Sequence, residues 1–153
     1  EISCSLVGSE MCIRDSFDTV VSKAELYSNH THIVFALSSF NNLVKNGRMS
    51  KIVGFVANKL GFWGIGIGSK QGTIEIKQKI RGSKKALDAI IDDMKERGYN
   101  CGKVVISHCR NAEFAESVKS AIQSVWDKAE VKIVHARGLC SYYAEKGGLI
   151  IGF

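Results

Sequence analysis

Residues 62–68 read Phe-Trp-Gly-Ile-Gly-Ile-Gly, a strand pattern in which every second residue is glycine. Side chains alternate across a strand, so Trp63, Ile65 and Ile67 share one face while Gly64, Gly66 and Gly68 leave the other as bare backbone. A face without side chains admits close approach, by a packed helix or by a ligand. The pattern is not a dinucleotide-binding fingerprint, because the glycine spacing differs and a second strand pattern, residues 73–81, follows where a helix would be needed. The two runs form a hairpin around Ser69, Lys70, Gln71 and Gly72.

Downstream, helix and strand patterns alternate. Leu87, Ile90, Ile91 and Met94 give one helix an apolar stripe that Gly98 ends, and residues 103–107 form a β-branched strand. Asn111 caps a helix that turns Phe114, Val118, Ala121, Ile122 and Val125 inward; residues 131–135 and 149–153 are further strands. Upstream, residues 17–28 end a helix on Val20, Val21, Ala24 and Leu26, and residues 32–37 form a buried strand. Ser38 or Ser39 caps a short helix through Phe40, Leu43 and Val44, which Asn46-Gly47 stops. The next helix, residues 50–60, is apolar nearly all round through Ile52, Val53, Phe55, Val56, Ala57 and Leu60. Such a helix is covered on more than one side, by core, by a second lobe or subunit, or by an acyl chain. A hairpin followed by β-α-β units predicts an α/β layered sheet with some parallel pairing.

With 153 residues the chain supports one sizeable core. Mean hydropathy is +0.01, and no apolar run approaches the roughly 18 residues of a membrane span. Lys and Arg exceed Asp and Glu by 21 to 15, a net +6 that permits anionic partners. A basic nucleic-acid-binding or regulatory module is therefore the alternative function, although the basic residues lack the interleaved aromatics of a stacking platform. Cys4, Cys12, Cys101, Cys109 and Cys140 form no Cys-x-x-Cys pair, which fits a reducing cytoplasm better than a disulfide framework. With no proline in the chain, its turns depend on Gly, Asn, Asp and Ser. Residues 1–16, EISCSLVGSEMCIRDS, have no helical or strand period and are expected to be a non-native leader of the sequencing-adapter kind.

Two segments are candidate sites. Arg81, Lys84 and Lys85 surround the start of a helix, where the dipole adds positive potential, so this turn suits an anionic or acidic partner. Residues 137–148 suit a binding loop: Ser141 offers a hydroxyl, Tyr142 and Tyr143 apolar walls with polar tips, and Gly147 and Gly148 room for a head group. Adjacent strand residues point to opposite faces, which argues against a His108–Cys109 nucleophilic pair. His30 and His32 lack a third metal ligand nearby.

Three runs, in order, resemble the DegV family: Leu43-Val44-Lys45-Asn46-Gly47-Arg48-Met49-Ser50, then Lys79-Ile80-Arg81 leading into Ser83-Lys84-Lys85-Ala86-Leu87, then a glycine-rich segment before the last apolar strand. The resemblance implies a two-lobed α/β protein that holds a long-chain fatty acid and presents it to a separate kinase for acyl phosphate formation in phospholipid synthesis. The chain would be the C-terminal portion, non-catalytic and without cofactor, with residues 17–60 between the lobes and residues 61–153 as the C-terminal lobe. On this likeness Ile52, Phe55, Val56, Ser141, Tyr142, Tyr143, Gly147 and Gly148 would line the lipid, and Arg48, Arg81, Lys84 and Lys85 would dock the kinase. The chain departs from the family where many relatives have a His-Thr-Gly-Pro-Gly-like run. Here Tyr143-Ala144-Glu145-Lys146-Gly147-Gly148 stands instead, and Phe62-Trp63-Gly64-Ile65 replaces a lysine-proline strand start.

Overall fold

The computed structural model describes residues 16–47, 62–69 and 74–153, and the chain separates into two compact units, residues 1–32 and 33–153. The described part of the first unit is helix α1, Phe17–Asn29. Its first turn is closed by the Thr19 N–H donating to Ser16 Oγ at 3.3 Å, and its last by the Thr31 hydroxyl donating to the Tyr27 carbonyl at 2.8 Å. The helix buries no residue within its own unit.

The second unit is built on one six-stranded sheet. Along the chain its elements are β1 (Ile33–Leu37), α2 (Asn41–Lys45), β2 (Phe62–Gly68), β3 (Ile74–Arg81), α3 (Ser83–Glu96), β4 (Lys103–His108), α4 (Ala112–Val125), β5 (Glu130–His135), α5 (Gly138–Ala144) and β6 (Leu149–Gly152). The strand order is β3-β2-β1-β6-β4-β5. Among the described strands only β4 and β5 run parallel, joined by α4 as the predicted β-α-β unit; the other pairs are antiparallel. The expected hairpin is β2–β3. The continuous apolar run of β1 is explained by its place inside the sheet, buried on both faces.

The two faces carry separate cores. On the first, Val34, Ala36, Ile65, Val104, Ile106, Leu149 and Ile151 meet the apolar stripes of α3 and α4. On the second, Phe35, Leu37, Phe40, Leu43 and Ala144 cluster, with Ile74, Ile76, Ile150, Cys109 and Tyr143 around them. A bulge lets β3 serve both: Ile65 pairs with Gln78 but Gly66 with Ile76, so Lys77 is an extra residue that reverses the alternation. Ile74 and Ile76 thus join the second core while Ile80 packs on the first.

The glycine face of β2 receives aromatic rings. A Cβ on Gly64 would overlap the ring of Phe40, and one on Gly66 would overlap the Phe35 ring and the Glu75 carbonyl. Neither of the two occupants expected for this face, a helix or a ligand, supplies these rings: Phe35 comes from the neighbouring strand and Phe40 from the turn before α2.

Two helix caps differ from expectation. The N-cap residue of α2 is Phe40, not Ser38 or Ser39, and it makes no side-chain cap. The Ser39 hydroxyl is instead drawn to a carboxylate from the far end of the chain. Asn111 does occupy the N-cap of α4, but its side chain makes no cap bond there because it reaches across to another turn.

Candidate ligand site at one end of the sheet

The register gathers several turns at one end of the sheet. Leu149, which opens β6, pairs with Ala36 near the end of β1 and with His108 at the end of β4, and His108 pairs with His135 at the end of β5. On the other side, Leu37 pairs with Gly64, and Phe62 with Arg81, which ends β3. The turns after β1, β3, β4 and β5 and the turn before β6 therefore share this end.

Residues 137–148, expected to be a loop, are mostly helix. Helix α5 spans Gly138–Ala144 and is stopped at Glu145, whose φ of 54° lies in the left-handed region. The turn that follows is polar and tightly held. Ser39 Oγ donates to Glu145 Oε2 at 2.5 Å, and the Asn42 N–H donates to Glu145 Oε1 at 2.9 Å. One carboxylate, 103 residues away in sequence, thus supplies the N-terminal cap of α2 that a local serine was expected to give. Asn42 Nδ2 also donates to the Tyr142 carbonyl at 2.8 Å, and Asn46 Nδ2 to the Tyr142 hydroxyl at 3.1 Å. Ser38 Oγ donates to the Lys146 carbonyl at 3.2 Å.

Each predicted residue of this segment has a definite place. Tyr142 is exposed and meets Tyr143 edge-on, ring centroids 5.1 Å apart, while Tyr143 packs on the second core. Ser141 Oγ donates to the Gly138 carbonyl at 2.8 Å, inside its own helix. Gly147, with φ at 98°, brings its backbone against Ser38, where a Cβ would lie 2.9 Å from the hydroxyl. Gly148 is buried, and a Cβ there would overlap the Ala144 carbonyl and crowd Leu37. Both glycines therefore serve close backbone approach.

The β4–α4 turn grips the same segment. Asn111 Nδ2 donates to the Gly147 carbonyl at 2.8 Å, the Gly147 N–H to the Cys109 carbonyl at 2.8 Å, and the Cys109 N–H to the Gly148 carbonyl at 2.9 Å. His108 is buried on the first face, its ring centroid 4.5 Å from that of His135. Cys109 sits beside the second core, so the two side chains diverge as expected.

The basic turn lies at the β3 edge of this sheet end. The Arg81 guanidinium sits 5.9 Å from the centroid of the Phe62 ring. Gly82, with φ at 92°, leads into α3, whose first turn has no acidic residue and exposes Lys84 and Lys85. Arg48, Ile52, Phe55 and Val56 lie outside the described residues.

A charged cluster missed by sequence reading joins β3 to α3. Asp93 is 5% exposed; it receives Lys77 Nζ at 2.8 Å on one oxygen and Arg97 Nε at 2.8 Å on the other. Lys77 also reaches Glu96 at 2.8 Å, and its bonds to Asp93 and Glu96 hold its pKa above the usual 10.5. The signal was present: Asp93 stands three residues after Ile90, on the buried stripe. Among the described residues, no three His, Cys, Asp or Glu side chains converge for a metal, and no helix is long and apolar enough to cross a membrane.

The sequence profile of the family described as "Uncharacterised protein, DegV family" matches residues 12–153. The chain belongs to the DegV family. A DegV domain-containing protein of Streptococcus pyogenes serotype M3 is 42% identical over 138 residues, 90% of this chain and 49% of the relative. The chain thus spans about half the length of the curated relatives it matches. A crystal structure of a DegV family protein from Eubacterium eligens, loaded with heptadecanoic acid, matches with a TM-score of 0.92 at 34% identity, over 99% of this chain and 55% of that one. The Streptococcus pneumoniae Fatty Acid Kinase (Fak) B3 protein, loaded with linoleic acid, matches with a TM-score of 0.92 at 36% identity, over 99% of this chain and 54% of that one. The expected mixed α/β fold of this family is the fold observed.

Proposed function

We propose that this DegV chain forms part of a fatty-acid-binding carrier, non-catalytic and cytoplasmic, that presents a long-chain fatty acid to a partner kinase for acyl phosphate formation. The observation that carries the reading is the match, over 99% of the chain, to two relatives of 34% and 36% identity whose crystal structures hold heptadecanoic and linoleic acid. The second sheet face fits the role. Among the described residues its core of Phe35, Leu37, Phe40, Leu43 and Ala144 is small, and the turns beside it bring polar groups to one end. A buried methylene contributes about 0.8 kcal/mol, so a sixteen-carbon chain would supply on the order of 10 kcal/mol before the costs of association. Polar groups need then only orient the head. In this reading Ser141, Tyr142, Tyr143, Gly147 and Gly148, with Ile52, Phe55 and Val56, border the ligand. Arg48, Arg81, Lys84 and Lys85 meet an acidic kinase surface.

Native mass spectrometry of the purified chain, with and without added linoleic acid, tests the reading. The expected result is a complex of one protein with one fatty acid. Its absence both before and after addition overturns the proposal. A kinase-dependent, hydroxylamine-trappable acyl phosphate, made only when this protein and ATP are both present, is the expected outcome for the presenting role.

A further inference from the structure

Neutral His108 is wired to the turn before β6. The Asn111 N–H donates to His108 Nδ1 at 3.1 Å, a bond that only an unprotonated ring nitrogen accepts. From the same residue, Asn111 Nδ2 holds the Gly147 carbonyl at 2.8 Å. The Gly147 N–H and the Cys109 carbonyl close the loop at 2.8 Å. The β4–α4 turn is therefore tied on one side to an imidazole and on the other to the segment carrying Glu145, Lys146, Gly147 and Gly148.

We infer that His108 is a proton-sensitive pin, whose protonation turns Nδ1 from acceptor to donor, ejects the Asn111 N–H and loosens the turn at Gly147. The surroundings make the change costly to absorb. His108 is 3% exposed, so a charge there loses most of its water. Among the described residues, the titratable or charged groups on the segments next to it are His135 on β5, Arg137 just beyond the Ala136 N–H that donates to the His108 carbonyl, Cys109 and Arg110 in the β4–α4 turn, and Glu113 in the first turn of α4; β6 contributes none. Arg110 and Glu113 are exposed, whereas His135 faces the ring at 4.5 Å and opposes a second positive charge. Arg110, with φ at 52°, already holds the turn in a left-handed conformation, so the turn has little slack for a new hydrogen-bond pattern.

Burial first, and the His135 charge second, hold the His108 pKa below its ordinary 6.5. The folded state therefore favours the neutral ring. The stability linked to it is complete above about pH 6.5, where both states are neutral, and is lost as pH falls through the folded value.

Amide hydrogen exchange of the full chain, followed by NMR from about pH 7.5 to about pH 5 and expressed as protection factors, tests the pin across the range in which histidine titrates. The expected result is a loss of about tenfold in protection at Asn111 and Gly147, the scale of one lost hydrogen bond, while Ile106 and Val118 stay protected. In His108→Gln, whose amide oxygen accepts at every pH, protection at Gly147 stays level. In His135→Gln, which keeps the pin but removes the opposing charge, the midpoint moves to higher pH. Three results would overturn the inference: protection at Gly147 that is flat in the parent chain, protection that falls in step with Ile106, or a fall at Gly147 that persists in His108→Gln.

Discussion

The two faces of the sheet are held by different physics. The first is mainly hydrocarbon: β1, β6 and β4 send Val34, Ala36, Leu149, Ile151, Val104 and Ile106 against Ile90, Met94, Phe114, Val118 and Ile122 of two fourteen-residue helices. Among the described residues, the second has α2 and α5, of five and seven residues, and a core of five buried side chains. Helices so short gain little from propensity or area. Polar bonds supplement them, through Glu145 on Ser39 and Asn42 and through Asn42 and Asn46 on Tyr142. The contrast predicts that a defect on the first face unfolds the whole unit while one on the second stays local. Faces of this kind differ in how far a local defect spreads.

The largest effect is expected on the first face. Ile106→Ala removes a fully buried side chain at the centre of β4, and the cavity should lower unfolding free energy by about 3 kcal/mol. Urea denaturation checks it: the midpoint should fall for every probe at once. A loss confined to probes near α2 would break the contrast between the faces.

A smaller loss is expected from Gly66→Ala. The added Cβ would overlap the Phe35 ring, which can tilt, and the Glu75 carbonyl, which belongs to the β3 backbone at the bulge and cannot easily move. Overpacking of this kind costs about 2 kcal/mol. Gly68→Ala is the control, since a Cβ there meets nothing within 4 Å. Equal midpoints for the two variants would mean that the glycine face is not shaped by the rings upon it.

These same positions show what sequence reading reaches. Period and composition located the hairpin, the α3 and α4 stripes, β1 and the last strand, because each of those signals is local. The alternation in β2 likewise exposed a bare face. The owners of the rings, Phe35 and Phe40, became evident only once the register placed β1 beside β2. Asn111 takes the N-cap position that its place in the sequence predicts. Near neighbours do not reveal that the Ser39 hydroxyl goes to Glu145, the Asn111 side chain to Gly147 and the Asn42 side chain to Tyr142, partners far off in the chain. Asp93 differs: its place on an apolar stripe marked it as buried, but its partner Lys77 depended on a bulge that no pattern announced.

The smallest effect, and the sharpest probe of the second face, is expected from Glu145→Ala. Alanine keeps the Cβ and therefore the same left-handed backbone cost at φ 54°, so the change isolates the carboxylate. What is lost is the acceptor for the Ser39 hydroxyl and for the Asn42 N–H, the cap of a helix only five residues long. Ser39 retains the Asn41 side chain as a partner at 3.0 Å and can turn to water. The global loss should accordingly be about 1 kcal/mol, the size of an N-cap. Locally the change should be larger than that figure suggests, since a helix of five residues depends heavily on its cap. Exchange at Val44 and Asn46 should accelerate while Ile106 and Val118 keep their protection. Acceleration that reaches Ile106 equally would show the faces to be one cooperative unit, and the division drawn between them would fall.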